Sequence, residues 1–183
     1  MSEALEERAV AHVGTNTCSF RAEAVAASQE FRRLYDQRLS VVHAEAMPFE
    51  RSADGLIKHL VHNRLNTKEC CVEAYMQFLG PGERSGKHRH MWEELIFVAE
   101  GSGHDLHWDL KFECIDAFKW DWVPEPKRFA WQRGDFIYVP PFTIHQHFNA
   151  ADNGEARLIV ISNRIVKEMG FDWFDQLENA PGF

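Results

Sequence analysis

Three histidines and one glutamate carry the chemistry legible in this chain of 183 residues. His88 and His90 sit two residues apart within Gly82–Gly101, and Glu94 follows four residues after His90. On a β-strand the period of two turns both imidazoles to one face, and Glu94 shares their parity. A bulge or tight turn after His90 then lets Glu94 join the same centre. Two imidazoles and a carboxylate converging from a β-scaffold make a metal site that still lacks at least one ligand. A second stretch, Gly134–Asn149, offers a further imidazole in His145, with His147 two residues on and expected to point to the same side.

These two stretches resemble the paired motifs of the cupin superfamily. The first meets every fixed position of G-x5-H-x-H-x3-E-x6-G, at Gly82, His88, His90, Glu94 and Gly101. The second follows G-x5-P-x-G-x2-H-x3-N at Gly134, Pro140, His145 and Asn149. One position departs: Phe142 stands where the motif has a glycine. A turn that relies on glycine must then be built differently, with Pro140-Pro141 helping to shape it.

The resemblance implies an all-β fold, the cupin double-stranded β-helix or jelly-roll barrel, with one divalent metal held by His88, His90, Glu94 and His145. It further implies a mononuclear non-haem Fe(II) dioxygenase, similar to gentisate-type enzymes, using O2 to cleave a phenolic or other small aromatic or oxygenated substrate. The same ligands accept Mn, Ni, Zn or Cu. Cupins also run non-oxidative chemistry as isomerases, decarboxylases or lyases, and a metal-dependent small-molecule binder is the reading outside catalysis. His147 is either a catalytic group that manages a proton beside the metal or an ordinary barrel histidine satisfied by backbone.

The elements that must position these residues divide the chain into three. Residues 1–55 read as an N-terminal helical extension and arm, with a helix over Arg21–Leu39 whose apolar stripe is Val25, Phe31, Leu34 and Tyr35. Residues 56–165 read as the barrel, and residues 166–183 as a C-terminal helix and tail, helical over Val166–Glu178. Within the barrel, the Glu100–Gly103 turn signals a hairpin that returns His104–Trp108 alongside the strand ending at Ala99. Residues 109–128, rich in Trp and Phe, form an ordered insertion, since disordered segments seldom hold so many aromatics. His104 and His107 have opposite parity, so at most one faces the cavity. Arg89, between two ligands, points away from them, and Cys114 is expected to be a buried, inert thiol.

A net charge of −8 counts against a nucleic-acid partner, which clustered Lys and Arg would attract. No apolar run approaches the ~20 residues that span a bilayer. Met1–Val10 is acidic and helix-prone, without the pattern of a signal peptide. The four cysteines show no C-x-x-C spacing, which suits reduced thiols and a cytoplasmic location. The aromatic tail Phe171–Phe183 and the N-terminal helix both need an apolar surface to cover, so a homodimer is expected.

Overall fold

Residues 18–67 and 71–183 are described by a computed structural model, so the readings of Met1–Val10 and Cys70 fall outside it. The chain divides into a unit ending at Arg38 and a second running from Leu39 to Phe183. In the first, helix α1 (Phe20–Leu34) tightens into a 3-10 turn at Tyr35–Gln37. It therefore stops short of Leu39, the end expected for it. No residue of α1 is buried, and the Arg38 guanidinium lies 4.1 Å from the centre of the Phe31 ring.

In the second unit, strict alternation of side chains builds two facing sheets. The first contains β1 (Phe49–Ser52), β2 (Gly55–Val61), β3 (Val72–Leu79), β5 (Glu94–Glu100), β10 (Phe136–Val139) and β12 (Ala156–Asn163), in the order β1-β2-β3-β12-β5-β10. The second contains β4 (Lys87–His90), β6 (Ser102–Trp108), β9 (Lys127–Gln132), β11 (Ile144–Asn149) and β13 (Phe174–Glu178), in the order β13-β4-β11-β6-β9. Every sheet pairing is antiparallel. Ile96, Val98, Leu158 and Val160 point inward from β5 and β12 and meet Trp131 from the opposite sheet. Each such side chain contributes roughly 1.5–3 kcal/mol when fully buried. The architecture is a cupin-type jelly roll.

Two expectations about the path of the chain change. The run ending at Ala99 and the run His104–Trp108 do not form a hairpin: β5 pairs with β12 and β10, whereas β6 pairs with β9 and β11. Gly101, at φ +87°, carries the chain from one sheet to the other. A Cβ there would sit 2.8 Å from both Cα and Cβ of Ala156, so the crossing also needs the bare backbone. The C-terminal helix is confined to α2 (Ile165–Glu168), and Phe174–Glu178 of the stretch expected to be helical becomes β13, an edge strand on β4. Gly170, at φ +87°, follows α2 and turns the chain out of the helix.

The aromatic insertion is a two-stranded ribbon, β7 (Leu110–Cys114) on β8 (Phe118–Trp122), followed by the start of β9. Cys114 lies exposed on it rather than buried. No helix among the described residues is long and apolar enough to cross a membrane.

Candidate metal centre

The two sheets supply the centre from opposite sides. His88 and His90 alternate with Lys87 and Arg89 along β4, whose burial pattern puts both imidazoles inside. In the antiparallel register His145 of β11 lies directly across from His88. Glu94 opens β5 in the other sheet, so the residues Met91–Glu93 are a crossing between sheets rather than a bulge in one strand. All four side chains are buried, and one ligand atom from each lies within 4.8 Å of the others. His90 Nε2 is 3.3 Å from Glu94 Oε1, and His145 Nε2 is 3.5 Å from Glu94 Oε2.

The other ring nitrogen is already hydrogen-bonded in His90 and His145. His90 Nδ1 lies 2.6 Å from the Trp92 carbonyl oxygen, and His145 Nδ1 lies 2.9 Å from that of Thr143. A carbonyl only accepts, so both Nδ1 atoms carry the proton and both Nε2 atoms present a lone pair to the centre. Nδ1 of His88 lies 3.0 Å from Asp54 Oδ1, which leaves Nε2 as its available donor.

Buried Nε2 atoms of His90 and His145 and the buried Oε2 of Glu94 have no hydrogen-bond partner among the described residues. Buried polar atoms normally find one, so this convergence of unsatisfied lone pairs fits a cation. Three imidazoles and one carboxylate can hold a metal ion.

Charge states agree with that use. Burial, then the neighbouring His88, pushes the His145 pKa down to about 3, so the ring stays neutral. Burial opposes ionisation of Glu94, but the attraction of His90 and His145 outweighs it and holds the carboxyl well below its usual range.

A cavity of about 150 Å³ opens beside these ligands, walled by Tyr75, Trp92, Phe174 and Lys167 among others. Trp92 stacks on His90 at 4.5 Å, and Phe174 of β13 stacks on His88 at 5.4 Å. Burial and the charge of Glu94 raise the Tyr75 hydroxyl well above its usual pKa, so it stays protonated.

His147 is buried with its ring 5.6 Å from that of His145. The β11–β6 register sets it opposite Asp105, and Nδ1 lies 2.9 Å from Asp105 Oδ1. Burial disfavours its cation, yet the Asp105 carboxylate outweighs burial and raises the pKa. Trp131 Nε1 donates to the same Asp105 oxygen, and His107 Nε2 lies 3.5 Å from Oδ2. His107 therefore faces inward, while His104 stacks on Phe148 with their rings 4.8 Å apart. Arg89 turns away to Asp175 at 2.7 Å and over the Trp122 ring. Asn149 is a structural peg, its side-chain amide bonding the carbonyls of Leu79, Gly80 and Gly154.

Sequence reasoning missed Asp54 and Asp105. Asp54 reads as a turn residue, while Asp105 shares the inward parity of His107 on β6 and could have been found from it.

Phe142 keeps the turn that its motif builds with glycine. It adopts φ +61°, and the Thr143 N–H donates to the Pro140 carbonyl at 3.2 Å. Proline second and positive φ third is the arrangement of a type II turn. Pro141 helps to shape the turn, as expected, but the left-handed position is kept rather than replaced, and the larger side chain tolerates it because its ring is held. Trp120 and Trp173 pack on it at 5.3 and 5.5 Å, and Trp122 Nε1 donates to its carbonyl.

Comparison with known proteins agrees with this architecture. A gentisate 1,2-dioxygenase of Aquipseudomonas alcaligenes is 32% identical over 79 residues, covering 43% of this chain and 18% of that protein. Auxin-binding protein 4 of Zea mays is 28% identical over 98 residues, covering 54% of this chain and 43% of its own length. The chain thus spans less than half the length of either curated relative. A cupin 2 conserved barrel domain protein of Salinispora arenicola superposes with a TM-score of 0.51 at 17% identity, over 68% of this chain and 87% of that one. At such identity the likeness concerns the fold alone. Residues 37–178 match the auxin-binding-protein family, most of the barrel and both motifs included. The chain belongs to the auxin-binding-protein family, within the cupin superfamily.

Proposed function

We propose that the protein is a mononuclear non-haem Fe(II) dioxygenase that acts on a phenolic or other small aromatic, oxygenated substrate in the cytoplasm. The observation that carries this reading is the buried set of His88, His90, Glu94 and His145, beside a cavity whose walls include Tyr75, Trp92 and Phe174. Fe(II) held there would supply redox chemistry with O2 at the positions that four protein ligands leave open. Likeness over 79 residues to a gentisate 1,2-dioxygenase supports the choice of dioxygenase chemistry and of an aromatic substrate.

The chain's own residues orient and exclude. Trp92 and Phe174 flank the ligand imidazoles with apolar faces, which favour a planar ring and keep bulk water off the centre. Tyr75 can donate its hydroxyl proton in a hydrogen bond to a substrate oxygen. His147 holds a proton at Nδ1 against Asp105, which leaves Nε2, without a hydrogen-bond partner among the described residues, to take or return one.

A second reading, a metal-dependent binder of a small aromatic acid without turnover, is favoured by the family match itself, which spans far more of the chain than the dioxygenase likeness does. Two measurements on protein purified without oxygen separate these readings: metal content, and O2 uptake with a panel of dihydroxylated aromatic acids. Near-stoichiometric iron with substrate-dependent O2 uptake is expected. Full-rate conversion without O2 would move the protein to isomerase, decarboxylase or lyase chemistry. Tight binding with the ligand recovered unchanged would establish the binder.

A further inference from the structure

The tip of the β1–β2 hairpin lies outside both motifs, yet it reaches the centre. Asp54 Oδ1 sits 3.0 Å from His88 Nδ1, and Gln176 Nε2 of β13 donates to the same oxygen at 3.2 Å. An aspartate on a two-residue hairpin turn ordinarily points into water; this side chain is only 18% exposed. Its position is fixed from several directions. Ser52 Oγ accepts from the Asp54 N–H and donates to the Gly55 carbonyl. Gln77 Nε2 donates to the Asp54 carbonyl at 2.8 Å, and the Ala180 N–H donates to the Ala53 carbonyl at 2.6 Å.

Strand β4 is shaped to receive this turn. A Cβ on Gly86 would stand 2.3 Å from Gln176 Nε2, 2.5 Å from the Ala53 carbonyl and 2.7 Å from Asp54 Oδ1. Only a glycine two residues before His88 lets the hairpin tip and β13 close on the strand together.

We propose that Asp54 is a positioning residue of the metal centre: it holds the proton of His88 on Nδ1, keeps Nε2 turned to the metal and strengthens that nitrogen as a donor. The inference rests on the metal-binding part of the proposed function. His90 and His145 lean on neutral carbonyls, so His88 is the one imidazole of the three with an anion behind it. The N–H is not squarely aimed at the oxygen, so the carboxylate acts as a charge beside the ring at 3.0 Å rather than through a directed hydrogen bond. A full negative charge there raises the basicity of the far nitrogen in a way that a carbonyl dipole does not. The N-terminal hairpin and the C-terminal strand thereby become parts of the centre through Asp54 and Gln176.

The test is Co(II) binding to the full-length protein, read by competition with a chelator and by the visible d–d bands, in wild type, Asp54→Asn and Asp54→Ala. Asn keeps the shape and an acceptor oxygen while removing the charge; Ala removes both. Loss of a carboxylate behind a ligand histidine costs about 10- to 100-fold in metal affinity. We expect about 10-fold for D54N and up to about 100-fold for D54A, with shifted d–d bands and the wild-type far-UV circular dichroism retained in D54N. Affinities within about twofold of wild type in both variants overturn the role of Asp54 while leaving the metal site intact. Weaker binding with unmoved d–d bands also overturns it, because the effect would then lie in the fold and not at His88. A wild-type protein that takes up no Co(II) removes the metal reading, and this inference with it.

Discussion

At Phe142 the usual order of glycine and alanine should invert. A non-glycine residue in the left-handed region costs roughly 1–2 kcal/mol, and Phe142 sits there at φ +61°. Two substitutions separate that strain from the packing of the ring. Phe142→Ala removes the contacts with Trp120 and Trp173 and keeps the strain. Fully buried Phe→Ala changes cost about 3–5 kcal/mol. Phe142 is half-buried, so about 2–3 kcal/mol is the scale here. Phe142→Gly loses the same ring but relieves the backbone. Against that relief stands glycine's extra unfolded-state freedom, about 0.5–1 kcal/mol. The balance leaves F142G more stable than F142A by about 1 kcal/mol, with both below wild type. In a chain of this length that difference corresponds to about 2–4 °C in Tm. Urea unfolding of the metal-free proteins is the assay, and comparable m-values are required for the comparison to hold. Should F142A equal or exceed F142G, the positive φ carries no strain and the reasoning about this turn is wrong.

Other consequences follow from the same geometry. His145→Ala removes the ligand opposite His88, and bound metal measured by elemental analysis should fall from near one per chain to a trace; full occupancy in the variant would show that the four residues do not act together. Stability of the metal-free protein should peak near neutrality. His145, with its folded pKa lowered to about 3, binds a proton in the unfolded chain first, so stability drops as pH falls from about 6.5 towards 3. His147 is shifted the other way, and its contribution is lost as pH rises through its raised folded value. Urea midpoints that climb between pH 6.5 and 4.5 would contradict this assignment. The protein should sediment as a homodimer at micromolar concentration, because Phe171, Trp173, Phe174 and Leu177 of the tail remain 39–50% exposed. A monomeric mass would leave that apolar surface without an occupant.

What the sequence could reveal was set by how local each constraint is. Strand β12 follows from alternation alone, and the four candidate ligands follow from motif spacing, since each has a fixed offset from a glycine or proline nearby. The path between sheets did not follow. Glu100-Gly101-Ser102-Gly103 has the composition of a hairpin turn, and nothing within those residues states that β6 joins the opposite sheet. The reason lies in Ala156, more than fifty residues on, whose backbone leaves no room for a side chain at Gly101. The tail misled for a related cause: Phe171, Trp173, Phe174 and Leu177 fall near a helical period, but the open edge of β4 recruits Phe174–Glu178 as a strand. Asp54 is the extreme case. Ser52-Ala53-Asp54-Gly55 satisfies every local rule for an exposed turn, and its carboxylate meets His88 only when the two sheets close. The one trace in the sequence is Gly86, and a glycine before a strand fits an ordinary turn as well as a close approach. Which of these it serves is decided by the surface that arrives there, here Ala53, Asp54 and Gln176 from two segments about 120 residues apart. A side chain at Gly86 should therefore disturb metal binding through Asp54 even though Gly86 touches no ligand, which makes Gly86→Ala a steric counterpart to the charge removed by D54N.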